Sequence, residues 1–388
     1  MYPQVSVNLE LVDGVCTACK TSEVFEAAAG DFWDKRRILF EEIINKVKSQ
    51  TNRNKNYDCI IPVSGGKDSY YQAHVIANKY GLKPLLVTYH GNNYLPEGDF
   101  NRERMREVFD ADHLVFGPSV EVLKKLNRIA FRKMGDMNWH AHCGIFTYPI
   151  RMSVSLNIPL VIWGEIAWDI SGMFHPDDLV EFSSRTRHEH GLRGFEWDAM
   201  INDPQDILSE QDLLWAKYPD DSEILATGSR GIYIGTFFKW DPNIHTQEMI
   251  NLYGWKPAEK PFQRTYRTMS NLDDRYENGV HDLLKFIKFG YGRASDHASK
   301  DIRAGLMSRE AGIEMVRNYD HVVSDDLSYW LTYVDMSERE FWTTADSFRD
   351  PRVWWIEGGK WVKENIWGGH STYGEVHLTK NQQRKYMR

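Results

Sequence analysis

The 388-residue sequence predicts an α/β protein: a parallel-sheet domain with an inserted cap and a mostly helical C-terminal region. Three observations carry that expectation. Short, continuous apolar runs alternate with helix-period segments from residue 57 to residue 165. A glycine-rich turn, Ser64-Gly65-Gly66-Lys67-Asp68-Ser69, closes the first of those runs. From residue 246 onward, helical patterns dominate.

Residues 31–49 read as an amphipathic helix, because Phe32, Ile38, Leu39, Phe40, Ile43, Ile44 and Val47 recur at helical spacing. Asp31 is placed to cap it, and Lys46 and Lys48 complement the dipole in its last turn. Strands are expected at 59–63, 83–89, 113–116 and 159–165. Their apolar runs do not alternate, as in strands covered on both faces. Helices at 70–80, 101–109, 120–134 and 145–156 separate them, the last despite Pro149. This rhythm indicates a parallel sheet, whose ligands sit beyond the carboxyl ends of the strands. That rule gathers residues 64–69, 88–93 and Gly164-Glu165 into one crevice. Glu165 is either a metal or ammonia-site ligand or a solvated strand end.

Residues 168–222 break the alternation with His175, Arg185, Arg187, His188, His190 and Arg193 among acidic clusters. They read as a cap that receives an anionic substrate, or as a solvated, ion-paired insertion. Residues 231–240 return to strand character, and Asp241-Pro242 closes them. Helices follow at 246–253, 281–289, 308–319, 325–332 and 337–348. Two tryptophan-rich segments surround Trp354 and Trp361, and the basic tail at 380–388 is expected to fray. The abundant Trp and Tyr are either ligand platforms or core. Domains are expected at 1–50, 51–255 and 256–388.

A net charge of −8 argues against a broad nucleic-acid footprint, so no nucleic-acid partner is expected. No window approaches the roughly 18 apolar residues of a membrane span, and the first residues lack a signal-peptide pattern. Four cysteines do not make a disulfide framework, so a cytoplasmic protein without membrane partners is expected.

The 64–69 turn has a specific chemistry. Two glycines let the backbone approach a ligand closely. The loop N–H groups and the helix start behind them face one point, a ready site for phosphate. Lys67 supplies positive charge and the Ser64 and Ser69 hydroxyls can donate, while Asp68 makes sense beside phosphate if Mg²⁺ lies between them. Elsewhere, Cys16 and Cys19 form a CxxC that suits half a zinc site or a redox pair. The only other ligand set of matching chemistry is His140, His142 and Cys143, while Cys59 reads as a buried hydrophobe. Residues 289–305, FGYGRASDHASKDIRAG, place Arg293, Asp296, His297, Asp301 and Arg303 among small neighbours. This set fits anion clamping and proton transfer, or a helix-capping turn held by ion pairs.

SGGKDS resembles the pyrophosphate loop of the PP-loop enzymes, which split ATP into AMP and pyrophosphate; it is not the Walker spacing. That likeness implies an adenine-nucleotide hydrolase-like, Rossmann-like domain. Together with CGIFTYPIRMSVSLNIPLVIWGE and residues 289–305, the loop resembles the N-acetyl sugar amidotransferases of bacterial surface-polysaccharide and flagellin-glycan pathways. The resemblance implies that ATP adenylates an acetamido group on a sugar, which is expected to be nucleotide-linked, and that ammonia displaces AMP to give an acetamidino group. It places Ser64, Gly65, Gly66, Lys67, Asp68 and Ser69 on the pyrophosphate, with Asp68 and Glu165 on Mg²⁺. Val87, Tyr89, His90 and Gly164 would flank ATP. Asp296 and His297 would serve catalysis, and Arg293, Asp301 and Arg303 the sugar. Ammonia would come from a separate glutaminase subunit through a cyclase-like partner. Relatives carry more cysteines, so a four-thiolate zinc site is excluded here unless Cys59 joins. The set Cys16, Cys19, His142 and Cys143 is the remaining expectation for Zn²⁺, beside no metal at all. A PP-loop tRNA-modifying enzyme and a non-catalytic nucleotide-binding scaffold in a glycan-assembly complex are the alternatives.

Overall fold

The computed structural model describes residues 11–27, 30–50, 55–92, 94–164, 178–270, 272–275 and 277–387. A two-residue hairpin, β1 (Leu11–Val12) with β2 (Val15–Cys16), leads into α1 (Thr17–Ala27) and then α2 (Phe32–Ser49). The sheet domain continues as β3 (Cys59–Pro62), α3 (Lys67–Ala73), β4 (Pro84–Tyr89), α4 (Pro96–Val108) and β5 (His113–Phe116). It is completed by α5 (Val120–Met134), α6 (Trp139–Leu156), β6 (Leu160–Trp163) and β7 (Arg230–Tyr233). These strands form one five-stranded sheet in the order β5-β4-β3-β6-β7, parallel throughout.

Side-chain alternation explains why the strands read as continuous apolar runs. Ile61, Leu86, Ile162 and Ile232 face Phe40, Ile43, Ile44 and Val47 of α2. Ile60, Leu85, Val87 and Val161 face Phe146 and Ile150 of α6. Burying each such side chain contributes about 1.5–3 kcal/mol, so both faces hold the sheet. The helix 32–49 therefore shares the core of the sheet domain. The chain leaves β3 toward β4 on one side and later reaches β6 on the other, which opens a crevice beyond the carboxyl end of β3.

Three helices begin earlier than their periodicity suggests. α3 starts at Lys67, inside the glycine turn, so Lys67, Asp68 and Ser69 are its first turn. α4 starts with Pro96, whose fixed φ suits a first helical position. α6 starts at Trp139 and so carries His140, His142 and Cys143 on a helix rather than a loop.

Residues 165–177, which include Glu165 and His175, lie outside the described residues. Residues 178–222 pack on α5 and α6 through Leu192, Met200, Leu213 and Trp215, which meet Leu126, Ile129 and Trp139. Within the stretch Arg187 pairs with Asp221 at 2.9 Å and His188 with Glu196 at 2.9 Å, while Arg193 reaches Asp136 between α5 and α6 at 2.6 Å.

The C-terminal region holds helices Asn278–Phe289, Arg293–Arg303, Arg309–Tyr319, Asp326–Val334 and Glu338–Ser347. The tryptophan-rich segments then form an antiparallel sheet, β8 (Trp354–Glu357), β9 (Lys360–Glu364) and β10 (His370–Glu375). The C-terminal region is mostly helical, as expected, and this small sheet follows its helices. The tail is also docked rather than frayed: Tyr386 is buried, its ring lies 4.7 Å from Trp361, and its hydroxyl donates to the Arg349 carbonyl at 2.9 Å. Among the described residues no helix is long and apolar enough to cross a membrane.

Arg349 is sandwiched between Trp354 and Trp361, at 4.3 and 4.6 Å, and its Nε donates to buried Asp346 at 2.9 Å. Asp346 also accepts from the backbone N–H of His377 at 2.9 Å. Asp346→Ala strands that guanidinium between two indoles, so we expect a loss of about 3–5 kcal/mol in denaturant unfolding. A loss under 1 kcal/mol would mean that the pair is dispensable to this subdomain.

Candidate active site

The crevice beyond β3 is a cleft of about 420 Å³, within the usual size of a small-molecule site. Its floor and walls include Val63, Ser64, Asp68 and Ser69 from the glycine turn and Val87 and Tyr89 from β4. Trp163 ends β6 and Gly164 follows it, Asn138 and His140 come from the start of α6, and Asp273, Asp274 and Glu277 come from the segment before the C-terminal helices.

The turn is fixed by its own backbone. Gly65 has φ 82°, and a Cβ there would lie 2.6 Å from the backbone nitrogen of Arg102. Only glycine fits both demands. The Trp255 indole donates to the Gly65 carbonyl at 3.0 Å, the Ser64 N–H donates to Ser69 Oγ at 3.0 Å, and the Gly66 N–H donates to Ser64 Oγ at 3.3 Å. The first-turn N–H groups of α3 have no carbonyl four residues back to bond, so they are available to an anion. Lys67 is paired with Asp68, whose second carboxylate oxygen, Oδ1, is buried with no hydrogen-bond partner among the described residues. Gln72 donates to the Ile162 carbonyl and ties α3 to β6.

Opposite the turn, His140 Nε2 lies 2.9 Å from Glu277 Oε1, with both side chains 1% exposed, and Tyr89 Oη lies 3.1 Å from His140 Nδ1. Asp273 is hydrogen-bonded by the Ser64 side chain; desolvation raises its carboxyl while that bond opposes the rise. Desolvation, then the charge of Glu277, raises the Asp274 carboxyl well above the usual carboxylate range.

The structure brings most of the sequence-derived nucleotide set together: Ser64, Asp68, Ser69, Val87, Tyr89 and Gly164 line one cleft. His90 instead stacks on Tyr94, with ring centroids 4.7 Å apart. The 289–305 stretch forms a helix from Arg293 to Arg303 whose charges pair with residues on neighbouring segments. Arg293 pairs with Asp282 at 2.8 Å, Asp296 with Lys285, and Asp301 with Arg267 and with the Tyr266 hydroxyl at 2.5 Å. His297 Nδ1 lies 2.5 Å from Thr265 Oγ1. Desolvation holds that imidazole well below its ordinary range, and the charges of Arg267, Arg293, Lys300 and Lys67 add to the effect. His297 is therefore neutral near pH 7, and its helix lies within electrostatic reach of the glycine turn.

The expected zinc set is not assembled. Cys143 is buried in the α5–α6 core, where Sγ lies 3.5 Å from Thr147 Oγ1 and from the Ala216 carbonyl. His142 Nε2 meets Arg193 at 3.2 Å. Cys16 ends β2 and Cys19 lies in the first turn of α1, where the Cys19 N–H donates to Cys16 Sγ at 3.4 Å, and the Arg303 charge acts on both. A hydrogen bond from the Cys19 thiol lowers the Cys16 thiol. Among the described residues no group of three His, Cys, Asp or Glu is arranged to hold a metal.

Sequence reasoning missed Asp273, Asp274 and Glu277, and it read His140 only as a metal ligand. The available signal was three acids within five residues, LDDRYE, ahead of an amphipathic helix.

Residues 264–365 match a family described as LPS biosynthesis protein WbpG-like, C-terminal domain. No curated protein matches the chain. Among solved structures, a U34-tRNA thiolase NcsA from Methanococcus maripaludis with its [4Fe-4S] cluster aligns at 13% identity and TM-score 0.29, covering 78% of this chain and 81% of that one. An NMN synthetase from Francisella tularensis aligns at 15% identity and TM-score 0.28, covering 58% and 98%. At those scores the architecture rests on the sheet described above. The sequence resemblance read from Phe289 to Gly305 falls inside the matched region, and from residue 264 to residue 365 this chain is similar to the WbpG-like C-terminal domain of LPS biosynthesis proteins.

Proposed function

We propose that the protein is an ATP-using PP-loop enzyme of polysaccharide biosynthesis that adenylates the acetamido group of a sugar and replaces its oxygen with ammonia. The observation that carries this reading is Asp68 Oδ1, a buried carboxylate oxygen without a partner among the described residues, at the mouth of a phosphate-type turn. Such an oxygen suits a Mg²⁺ ion shared with phosphate, and Asp68 would hold that ion. Bound there, Mg²⁺ would neutralise charge on the transferring phosphoryl group. The chain's own contributions are separable. The first-turn N–H groups of α3 and Lys67 bind the pyrophosphate end, Val87 and Tyr89 border the nucleoside, and Trp163 and Gly164 close the far wall. An amide oxygen leaves poorly; carried away on AMP it leaves readily, which is why ATP suits this substitution. The WbpG-like match supports LPS or a related glycan as the destination, and the separate glutaminase and cyclase-like subunits are proposed on the sequence resemblance alone.

The test is pyrophosphate release from MgATP with a panel of UDP- and CMP-linked acetamido sugars, with and without ammonium chloride. Release that needs an acetamido sugar, with an amidine product once ammonia is present, is expected. Release that is indifferent to every sugar, or no release at all, overturns the reading.

A further inference from the structure

The three carboxylates opposite the turn have different partners, and the difference assigns them different work. Asp273 belongs to the loop side through Ser64. Glu277 is fully enclosed and held by His140, an arrangement satisfied when Nε2–H donates to Glu277 and the Tyr89 hydroxyl donates to Nδ1. Asp274 is half-buried and lines the cleft, and its Oδ1 accepts the Glu277 N–H at 2.8 Å. Its backbone carbonyl accepts from Asn278 Nδ2 at 2.7 Å, while the Leu272 carbonyl just before it is held by the Leu95 N–H at 3.1 Å. The segment is thus pinned at both ends, with Asp274 presented to the space between the turn and β6.

We propose that Asp274 is the base that takes a proton from the nitrogen nucleophile, with Glu277 and His140 as positioning residues behind it. This rests on the amination reading above. Ammonia attacks the adenylated amide carbon and the C–N bond forms. One N–H proton of the resulting ammonium passes to the Asp274 carboxylate. The C–O bond to AMP then breaks, AMP leaves with the electron pair, and an amidinium remains. Charged and titratable neighbours facing Asp274 are Glu277 and Asp273 on its own segment, Tyr94 from the turn before α4, and His140 of α6 through Glu277. Desolvation, then the charge of Glu277, raises the basicity of the Asp274 carboxylate, the direction that favours proton acceptance. The same buried pair joins the WbpG-like region to the sheet domain, which explains how a C-terminal domain takes part in chemistry at the turn.

Two reactions separate the roles, run with whichever sugar drives pyrophosphate release in the panel above. Sugar-dependent ATP–pyrophosphate exchange without ammonia reads adenylation, and amidine formation at a fixed free-ammonia concentration reads the later step. Asp274→Asn is expected to keep exchange within about threefold while amination falls about 10²–10⁴-fold. Glu277→Gln removes the negative charge beside Asp274, so the acid limb of the amination profile is expected to move to lower pH, a shift that a purely structural role would not produce. Asp274→Asn that aminates at the wild-type rate, or that loses exchange and amination equally, overturns the assignment. If that variant does not fold, an unmoved acid limb in Glu277→Gln overturns it instead. A wild-type chain without exchange on any sugar removes the underlying reading, an outcome distinct from wild-type exchange with an unaffected Asp274→Asn.

Discussion

Lys67→Ala and Asp68→Ala will each lower sugar-dependent pyrophosphate release by about 10³-fold while leaving the fold in place. The reasoning is local. Lys67 is the cation in the first turn of α3, and Asp68 offers a buried carboxylate oxygen that no described protein group occupies. Each acts on charge that develops as the pyrophosphate leaves, where fixed charges matter most. Stability should respond less than activity, because the Lys67–Asp68 pair joins neighbouring residues within one turn and Asp68 is partly exposed. Asp68→Asn sharpens the test, since it keeps the shape and removes the charge. Release at wild-type rates in these variants, with melting unchanged, would remove the glycine turn from the chemistry.

The parts of this site that could be read from sequence share one property: their residues are neighbours along the chain. Ser64 to Ser69 announce a turn, a strand precedes them, and a helix follows, so the chemistry and its placement arrive together. The sheet was legible for a related reason. Strands buried on both faces cannot hide their hydrophobicity, and Leu85, Leu86 and Val87 show it without a gap. What was not legible depends on contacts between distant segments. Glu277 means little until His140, 137 positions away, closes on it. Cys143 looked like a ligand because its chemistry, with His140 and His142, matches the Cys16–Cys19 pair; on the helix, its side chain points into the α5–α6 core. The charged run from Arg293 to Arg303 was recognised, but its partners Asp282, Lys285 and Arg267 lie outside the motif and decide how the charges are spent. The β8–β10 sheet escaped because its strands are short and their tryptophans suit a helix core equally well.

Gly98→Ala is expected to cost both stability and activity, although helix propensity alone argues the opposite. Gly98 lies in the first turn of α4, where alanine would ordinarily stabilise by roughly 1 kcal/mol. Here a Cβ would fall on the Leu272 carbonyl oxygen and only 2.8 Å from its carbon. Neither side can yield easily. The Leu272 side chain is buried in the core under the sheet, and its carbonyl is bonded by the Leu95 N–H at 3.1 Å, three residues before Gly98. Overpacking of this kind costs about 1–3 kcal/mol, which outweighs the propensity gain. The segment displaced is the one that carries Asp273 and Asp274 into the cleft, so its shift should be visible in catalysis. A misplacement of about 1 Å costs on the order of 10²-fold, and amination should fall by that amount while ATP binding at the turn is retained. Gly30→Ala is the control, because a Cβ there meets none of the described residues within 4 Å. Thermal unfolding and amination measured side by side decide the matter. A more stable and fully active Gly98→Ala enzyme would show that the 272–277 segment has room to move, and that its carboxylates are not held in place by α4.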